Sequence, residues 1–286
     1  MVNLLLFLHS ALSAGTYLAA KRALGELSPF ELALVRFVLA GAVYTALLLR
    51  SPPRLPRRDL VVMAGLGLLA VPLNQGLFLA GLARTTPGHA ALLYALTPVF
   101  VFLLARVRLG ERAGPARLAG IALAFAGVLV VLAARGLLGG EGAGRGLLGD
   151  LLVLLGVVAW AVYIVLGKPY AERYGAVTTT GLSLVMGTLL YLPLGLPASE
   201  LQHFRALSTG GWAAVGYLVI LTSVVSYLIY YWALGRAEAS RVAIWSNTQP
   251  VLTALLAWAL HGERLTASFL AGGAMVLMGV VLTERA

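Results

Sequence analysis

The chain has 286 residues, of which 60% are hydrophobic and 11% charged, and a mean hydropathy of +0.92. Water-soluble domains carry about 25% charged residues, so this composition excludes one. Cysteine is absent, which removes disulfide scaffolds and thiolate metal or redox chemistry. The formal charge of +10 fits either nucleic acid or a membrane surface as partner, and the positions of the charges decide between them.

In chain order the predicted elements are apolar stretches at 1–20, 30–49, 60–83, 85–105, 118–134, 151–167, 174–199, 206–235, 242–262 and 265–283. Each approaches the roughly 20 residues a helix needs to cross ~30 Å of hydrocarbon. Only 30–49 is interrupted by charge, at Arg36 and, on its edge, Glu31. The first stretch has neither a basic leader nor a clear small-residue cleavage site, and so reads as a retained span. The expected fold class is an all-α membrane protein of ten transmembrane helices. No loop is long enough to dock nucleic acid, so the expected partners are the lipid bilayer and a small-molecule substrate.

Basic residues fall unevenly on the two sides. Thirteen lie in the loops 50–58, 106–117, 168–173 and 236–241 and at Arg285, against seven (Lys21, Arg22, Arg84, Arg135, Arg145, Arg205, Arg264) on the other side. The excess of Lys and Arg on the cytoplasmic side of membrane proteins predicts that both termini are cytoplasmic.

The halves repeat. At an offset of 152, Pro98-Val99 recurs as Pro250-Val251, Gly110-Glu111-Arg112 as Gly262-Glu263-Arg264 and Leu118-Ala119-Gly120 as Leu270-Ala271-Gly272. Between 81 and 128, 17 of 48 positions are identical without a gap, too many in register for composition alone. A weaker match at an offset of 147 places Lys21 on Lys168 and the face His9, Ser13, Thr16 of the first span on Gly156, Trp160, Tyr163. The halves are thus 1–136 and 150–286, joined by a glycine-rich linker at 137–149. Five spans per repeat is an odd number, so the second runs opposite to the first. Secondary transporters use this inverted plan and hold substrate near the midplane between repeats.

The run Ala83-Arg84-Thr85-Thr86-Pro87-Gly88-His89-Ala90-Ala91-Leu92-Leu93, with Pro98-Val99, Gly110-Glu111-Arg112 and Gly120, resembles the signature of EamA-type transporters of the drug/metabolite transporter superfamily. Ala233-Leu234 through Pro250, Gly262-Glu263-Arg264 and Gly272 resemble the same signature, and Arg36 matches in a Val-Arg-Phe context. The resemblance covers essentially the whole chain. It implies ten helices with cytoplasmic termini in a bacterial inner membrane, no enzymatic activity, and export of small metabolites, often amino acids.

Polar groups deep in apolar spans are costly and tend to face a bundle interior or water-filled cavity, so they are the candidate substrate contacts. Arg36 lies about 10 Å into its span. Its guanidinium suits a carboxylate; snorkelling or pairing with Glu31 is the plainer alternative. Asn74 and Gln75 follow Pro72, which removes a backbone donor and loosens the helix. Tyr227 and Tyr230 share a stripe with Ser223 and Ser226. Trp245 and Asn247 sit in the polar run before Pro250, and their counterpart holds Tyr94 before Pro98. Trp160 and Tyr163 complete the aromatic set. Pro72, Pro98 and Pro250 are candidate hinges. Helix–helix hydrogen bonding, or interfacial anchoring for the aromatics, is the alternative for each.

Every Asp and Glu falls in a loop or at a span end, so no carboxylate stands mid-membrane to carry a proton or face a cationic drug. His9 is a possible proton site, with a hydrogen-bonded structural histidine as its alternative. Glu111 and Glu263 read as caps, and Gly120, Gly127, Gly272 and Gly279 as close-packing seams, with a homodimer face one option. No cofactor, nucleotide loop or metal-ligand spacing is present. The expected function is facilitated export of neutral, apolar or aromatic amino acids, with export of amphipathic or cationic compounds, or a membrane-embedded enzyme or scaffold, as alternatives.

Overall fold

The structure is a computed structural model describing residues 1–85, 90, 93–111, 114–134, 143–261 and 267–285. Thr86 to His89, Ala91, Leu92, Arg112, Gly262-Glu263-Arg264 and linker residues 137–142 lie outside the described residues. Among those described, the chain is helical and contains no strand. This is the expected outcome where hydrocarbon leaves backbone groups no partner but each other.

The helices are α1 (Val2–Ala23), α2 (Pro29–Arg50), α3 (Arg57–Leu82), α4 (Thr97–Arg108), α5 (Pro115–Ala134), α6 (Ala143–Gly195), α7 (Leu201–Ala206), α8 (Thr209–Leu234), α9 (Ala239–Ala243), α10 (Thr248–His261) and α11 (Ala267–Arg285). Among the described residues five are long and apolar enough to cross a membrane: α1, α2, α3, Gly146–Gly195 within α6, and α8. Helix α6 carries two of the ten apolar stretches in one element. Gly175, at φ 78° and ψ 169°, breaks it into two arms with a backbone conformation that a side chain would strain. The start of α2 is fixed by a capping box, Ser28 Oγ accepting from Glu31 N and Glu31 Oε2 from Ser28 N, with Pro29 at its first turn.

Helices α3 and α8 both widen into π-helical turns, at Leu69–Gly76 and Tyr217–Ser226. Pro72 explains the first, because its ring displaces the carbonyl one turn earlier and it has no N–H to donate. The second contains no proline. There the Tyr44 hydroxyl draws off the Ser223 and Val224 carbonyls, at 3.0 and 3.2 Å. Side chains that take backbone partners in this way loosen the ladder.

The halves interlock. Helix α1 packs on the π turn of α8, with Thr16 Oγ1 3.1 Å from Thr222 Oγ1 and Ser13 Oγ 2.9 Å from Ser226 Oγ. In the reverse sense the first arm of α6 packs on α3: a Cβ on Gly81 would lie 2.6 Å from the Gly149 carbonyl, and Asn74 Nδ2 donates to the Gly156 carbonyl at 2.9 Å. The second arm closes on α3 at Gly67 and Gly187, where neither position has room for a Cβ.

Helices α5 and α11 form a separate seam. A Cβ on Gly120 would lie 2.8 Å from the Gly279 carbonyl, and one on Gly127 2.6 Å from the Gly272 carbonyl. Gly272 and Gly279 are the repeat counterparts of Gly120 and Gly127, so the pairing is reciprocal. These glycines therefore serve contact between the halves of one chain.

Polar contacts at the loops and span ends fall into two sets that match the sorting of basic residues. One set joins Arg22–Glu26–Ser208, Thr85–Asp150 and Glu31–His203. The other joins Asp59–Arg173–Tyr174, Lys168–Glu172, Arg117–Glu238 and Glu111 with Ala239 and Ser240. Glu111 is a cap, as its helix-junction position suggests, but for a helix of the other half. Its carboxylate accepts from Ala239 N at 2.6 Å and from Ser240 N and Oγ at 3.2 and 2.6 Å.

Candidate functional site

The interlocked helices leave a cavity of about 60 Å³ between α1, α2, α3, the first arm of α6, α8 and the turn before α10. From the sequence-predicted residues it is lined by His9, Arg36, Asn74, Gln75, Tyr94, Trp160 and Tyr227.

Arg36 is fully buried. Its Nε donates to Ser223 Oγ at 2.8 Å and one Nη to Gln75 Oε1 at 2.8 Å, so one bond goes to each half of the chain. Among the described residues no carboxylate pairs with it. Glu31, the partner considered from the sequence, is instead turned to Ser28, Glu200 and His203. Desolvating a guanidinium is expensive unless an anion compensates, and this cavity supplies none of its own.

A chain of hydrogen bonds continues from Arg36. Gln75 Nε2 donates to Asn74 Oδ1 at 2.5 Å, and Asn74 Nδ2 donates to the Tyr94 hydroxyl at 2.8 Å as well as to Gly156. This fixes both amides, each with its acceptor used. The walls are aromatic. Tyr17, Phe78 and Tyr94 meet edge to face with centroids 5.3–6.2 Å apart, and Trp160 lies 5.3 Å from Tyr227.

His9 is buried on the rim, with Nδ1 3.1 Å from the Ser226 carbonyl and 2.7 Å from Ser226 Oγ. A carbonyl only accepts, so the tautomer protonated on Nδ1 fits. That arrangement matches the structural alternative.

Four of the sequence-predicted residues do not line the cavity. Tyr163 stands behind Trp160 and bonds Ser183 Oγ at 2.9 Å. Tyr230 is buried between His9 and Trp160, at 4.9 and 5.7 Å. Trp245 gives its carbonyl to Ser10 and Thr248, and Asn247 is fully buried. The reason is local: Ile244–Asn247 is a 3₁₀ turn, in which side chains three apart eclipse, and this brings Ser246 and Gln249 to the cavity instead. Ser13, Thr16, Tyr17, Phe78 and Thr222 also line it. Of these, Ser13 and Thr16 were visible on the polar face of the first span, whereas nothing in the local pattern marks Phe78. Pro72 lies inside a π turn, but Pro98 and Pro250 stand in the first turns of α4 and α10, where proline opens a helix.

Apolar helices around a central, polar-lined cavity define a protein that handles a small molecule within a membrane. The particular family is shown by comparison: the EamA-like transporter family matches residues 1–133 and again 147–285, and the chain belongs to it. It is a membrane transporter and not an enzyme. A protein of Archaeoglobus fulgidus described as an uncharacterized transporter is 33% identical over 98% of this chain and 96% of its own length. The uncharacterized inner membrane transporter YedA of Escherichia coli is 28% identical over 94% of this chain and 86% of its own. A probable terminal-alkyne amino-acid exporter of Streptantibioticus cattleyicolor is 32% identical over 81% of this chain and 76% of its own. A crystal structure sharing 23% identity superposes with a TM-score of 0.82, covering 99% of this chain and 96% of that one, which establishes the likeness of fold.

Proposed function

We propose that this transporter exports small metabolites, foremost amino acids with apolar or aromatic side chains, across the bacterial inner membrane. The single observation that carries the reading is Arg36: a buried guanidinium, held from both halves and facing a cavity that offers no carboxylate. A substrate carboxylate completes it, and the aromatic walls accept an apolar side chain. The name of the Streptantibioticus relative supports the amino-acid class, and that of the Escherichia coli relative the inner membrane.

In this reading the chain is ten helices in two inverted five-helix repeats, 1–136 and 150–286, joined by 137–149, with both termini cytoplasmic. The reciprocal glycine seam, the paired π turns and the two family matches support the repeat. Access alternates by rocking of the halves about the cavity. Transport runs down the substrate's own gradient, because no carboxylate lies mid-span and His9 is committed to Ser226.

The test is purified protein in liposomes loaded with labelled amino acids, with and without a pH gradient. Protein-dependent flux that ignores the gradient is expected. Flux of cationic dyes with none for any amino acid would replace this reading with export of amphipathic or cationic compounds.

A further inference from the structure

Counting hydrogen-bond donors and acceptors around the cavity reveals an imbalance. The amide oxygens that line the cavity each already take one bond, while His9 Nε2, bare in the Nδ1–H tautomer, stays open. Gln75 Oε1 takes Arg36, Asn74 Oδ1 takes Gln75, and Gln249 Oε1 takes Tyr17 at 3.5 Å. The backbone carbonyls freed by the π turn of α8 are covered as well, Ser223 and Val224 by Tyr44 and Ser226 by His9. The donors are not spent. Among the described residues the Trp160 indole N–H and the Tyr227 hydroxyl form no hydrogen bond, and both residues line the cavity. The Tyr94 hydroxyl accepts from Asn74 and keeps its own proton to give. Arg36 has five N–H groups, of which two are used.

A cavity with surplus donors, one fixed cation and no carboxylate is matched to an anion. A primary ammonium brings three donors and a second positive charge, and would find no anion to neutralise it beside the fixed guanidinium. We propose that the site reads the carboxylate and the apolar or aromatic tail of its substrate and does not read an amino group. Its substrate class is then carboxylic acids with such a tail, amino acids included, with the deaminated acid recognised about as well as the amino acid. This rests on the transporter reading above and deepens it.

The test separates the two. Binding to the purified protein is followed by calorimetry for phenylalanine, 3-phenylpropionate and phenethylamine, which share one tail. In parallel, efflux of labelled phenylalanine from proteoliposomes is measured. The two carboxylates are expected to bind within about 3-fold of each other and the amine at least about 30-fold more weakly, the ratio expected of a charge-assisted bond won or lost in a buried site. Arg36→Gln should remove most of the preference for the carboxylates, and Tyr227→Phe should weaken both carboxylates together while leaving the fold intact. Equal binding of the amine, or binding of phenylalanine with none of 3-phenylpropionate, overturns the proposal. Binding of both carboxylates without phenylalanine efflux supports it while overturning amino-acid export. No binding of any of the three overturns both.

Discussion

Lys21 and Lys168 hold equivalent carbonyls in the two halves. Lys21 Nζ reaches the carbonyls of Leu82 and Thr85 at 3.3 and 3.5 Å, and Lys168 Nζ those of Leu234 and Ala237 at 3.1 and 2.7 Å. The lysines are 147 residues apart and both pairs of carbonyls 152 apart, the two offsets found in the sequence. Arg84 and Arg236 follow suit, each donating to the carbonyl four residues earlier. Each lysine thus ties the end of its half's first span to the end of that half's third.

If these ties belong to opposite faces of the membrane, their loss should unbalance access in opposite senses. The chain has no cysteine, so Thr16→Cys in the cavity reports access without background. Adding Lys21→Met should speed its labelling by an impermeant maleimide from one face by about 5-fold, as expected for about 1 kcal/mol of lost hydrogen bonding. Lys168→Met should do so from the other face. Acceleration from the same face by both would contradict the arrangement.

Cavity residues and the residues behind them should separate by phenotype. Arg36→Ala should lower transport at least about 10-fold, and Arg36→Lys should not restore it, because an ammonium cannot serve Ser223, Gln75 and a substrate with one planar fork. Trp160→Ala should raise the half-saturating concentration. Tyr163→Phe loses the bond to Ser183 behind the cavity wall, so transport should persist while stability falls by about 1 kcal/mol. Flux assays with thermal unfolding of each variant provide the check.

At the α5–α11 seam, Gly127→Leu forces side-chain atoms where a Cβ already stands 2.6 Å from the Gly272 carbonyl, and should cost about 3 kcal/mol or more. Gly65→Ala in α3, with nothing within 4 Å of its Cβ, should be neutral or stabilising by up to about 1 kcal/mol. Thermal denaturation in detergent measures both. The oligomeric state of Gly127→Leu should match that of the parent, since the seam is internal.

The Glu31–His203 contact should make stability depend on pH. The hydrogen bond from Nδ1 to Glu31, 2.7 Å long, raises the pKa of His203 above its ordinary 6.5, with the charges of Glu31 and Glu200 adding to it. A group whose pKa is raised by folding stabilises the fold fully below its unfolded pKa, and this is lost as pH rises through the folded one. His203→Asn should therefore be less stable than the parent at pH 5.5 and equal to it by pH 9. A difference that persists at pH 9 would assign the contact to something other than the imidazolium.

The sequence made some parts of this site legible and hid others for identifiable reasons. Arg36, Asn74, Gln75 and Trp160 stood out because polar or amphipathic groups in apolar spans need a destination, and the cavity is that destination. The grouping of charged span ends was legible for a related reason, since charge has few places to go in such a chain. Trp245 and Asn247 drew attention on the same grounds, but a 3₁₀ turn changed the angular step and passed the cavity to Ser246 and Gln249. The π turn of α8 had no proline to announce it; its cause is Tyr44, distant in sequence. The charged break between the stretches 151–167 and 174–199 was legible, but nothing in the local pattern marked Gly175 as the residue that turns the chain there.

The Glu111 carboxylate closes the exposed N–H groups of a helix belonging to the other half, and α1 and the first arm of α6 each lean on the opposite half's third span. Neither repeat, then, is complete by itself, although each reads as a unit in sequence. Expressed as two separate polypeptides, 1–136 and 150–286 should accumulate together and be degraded apart.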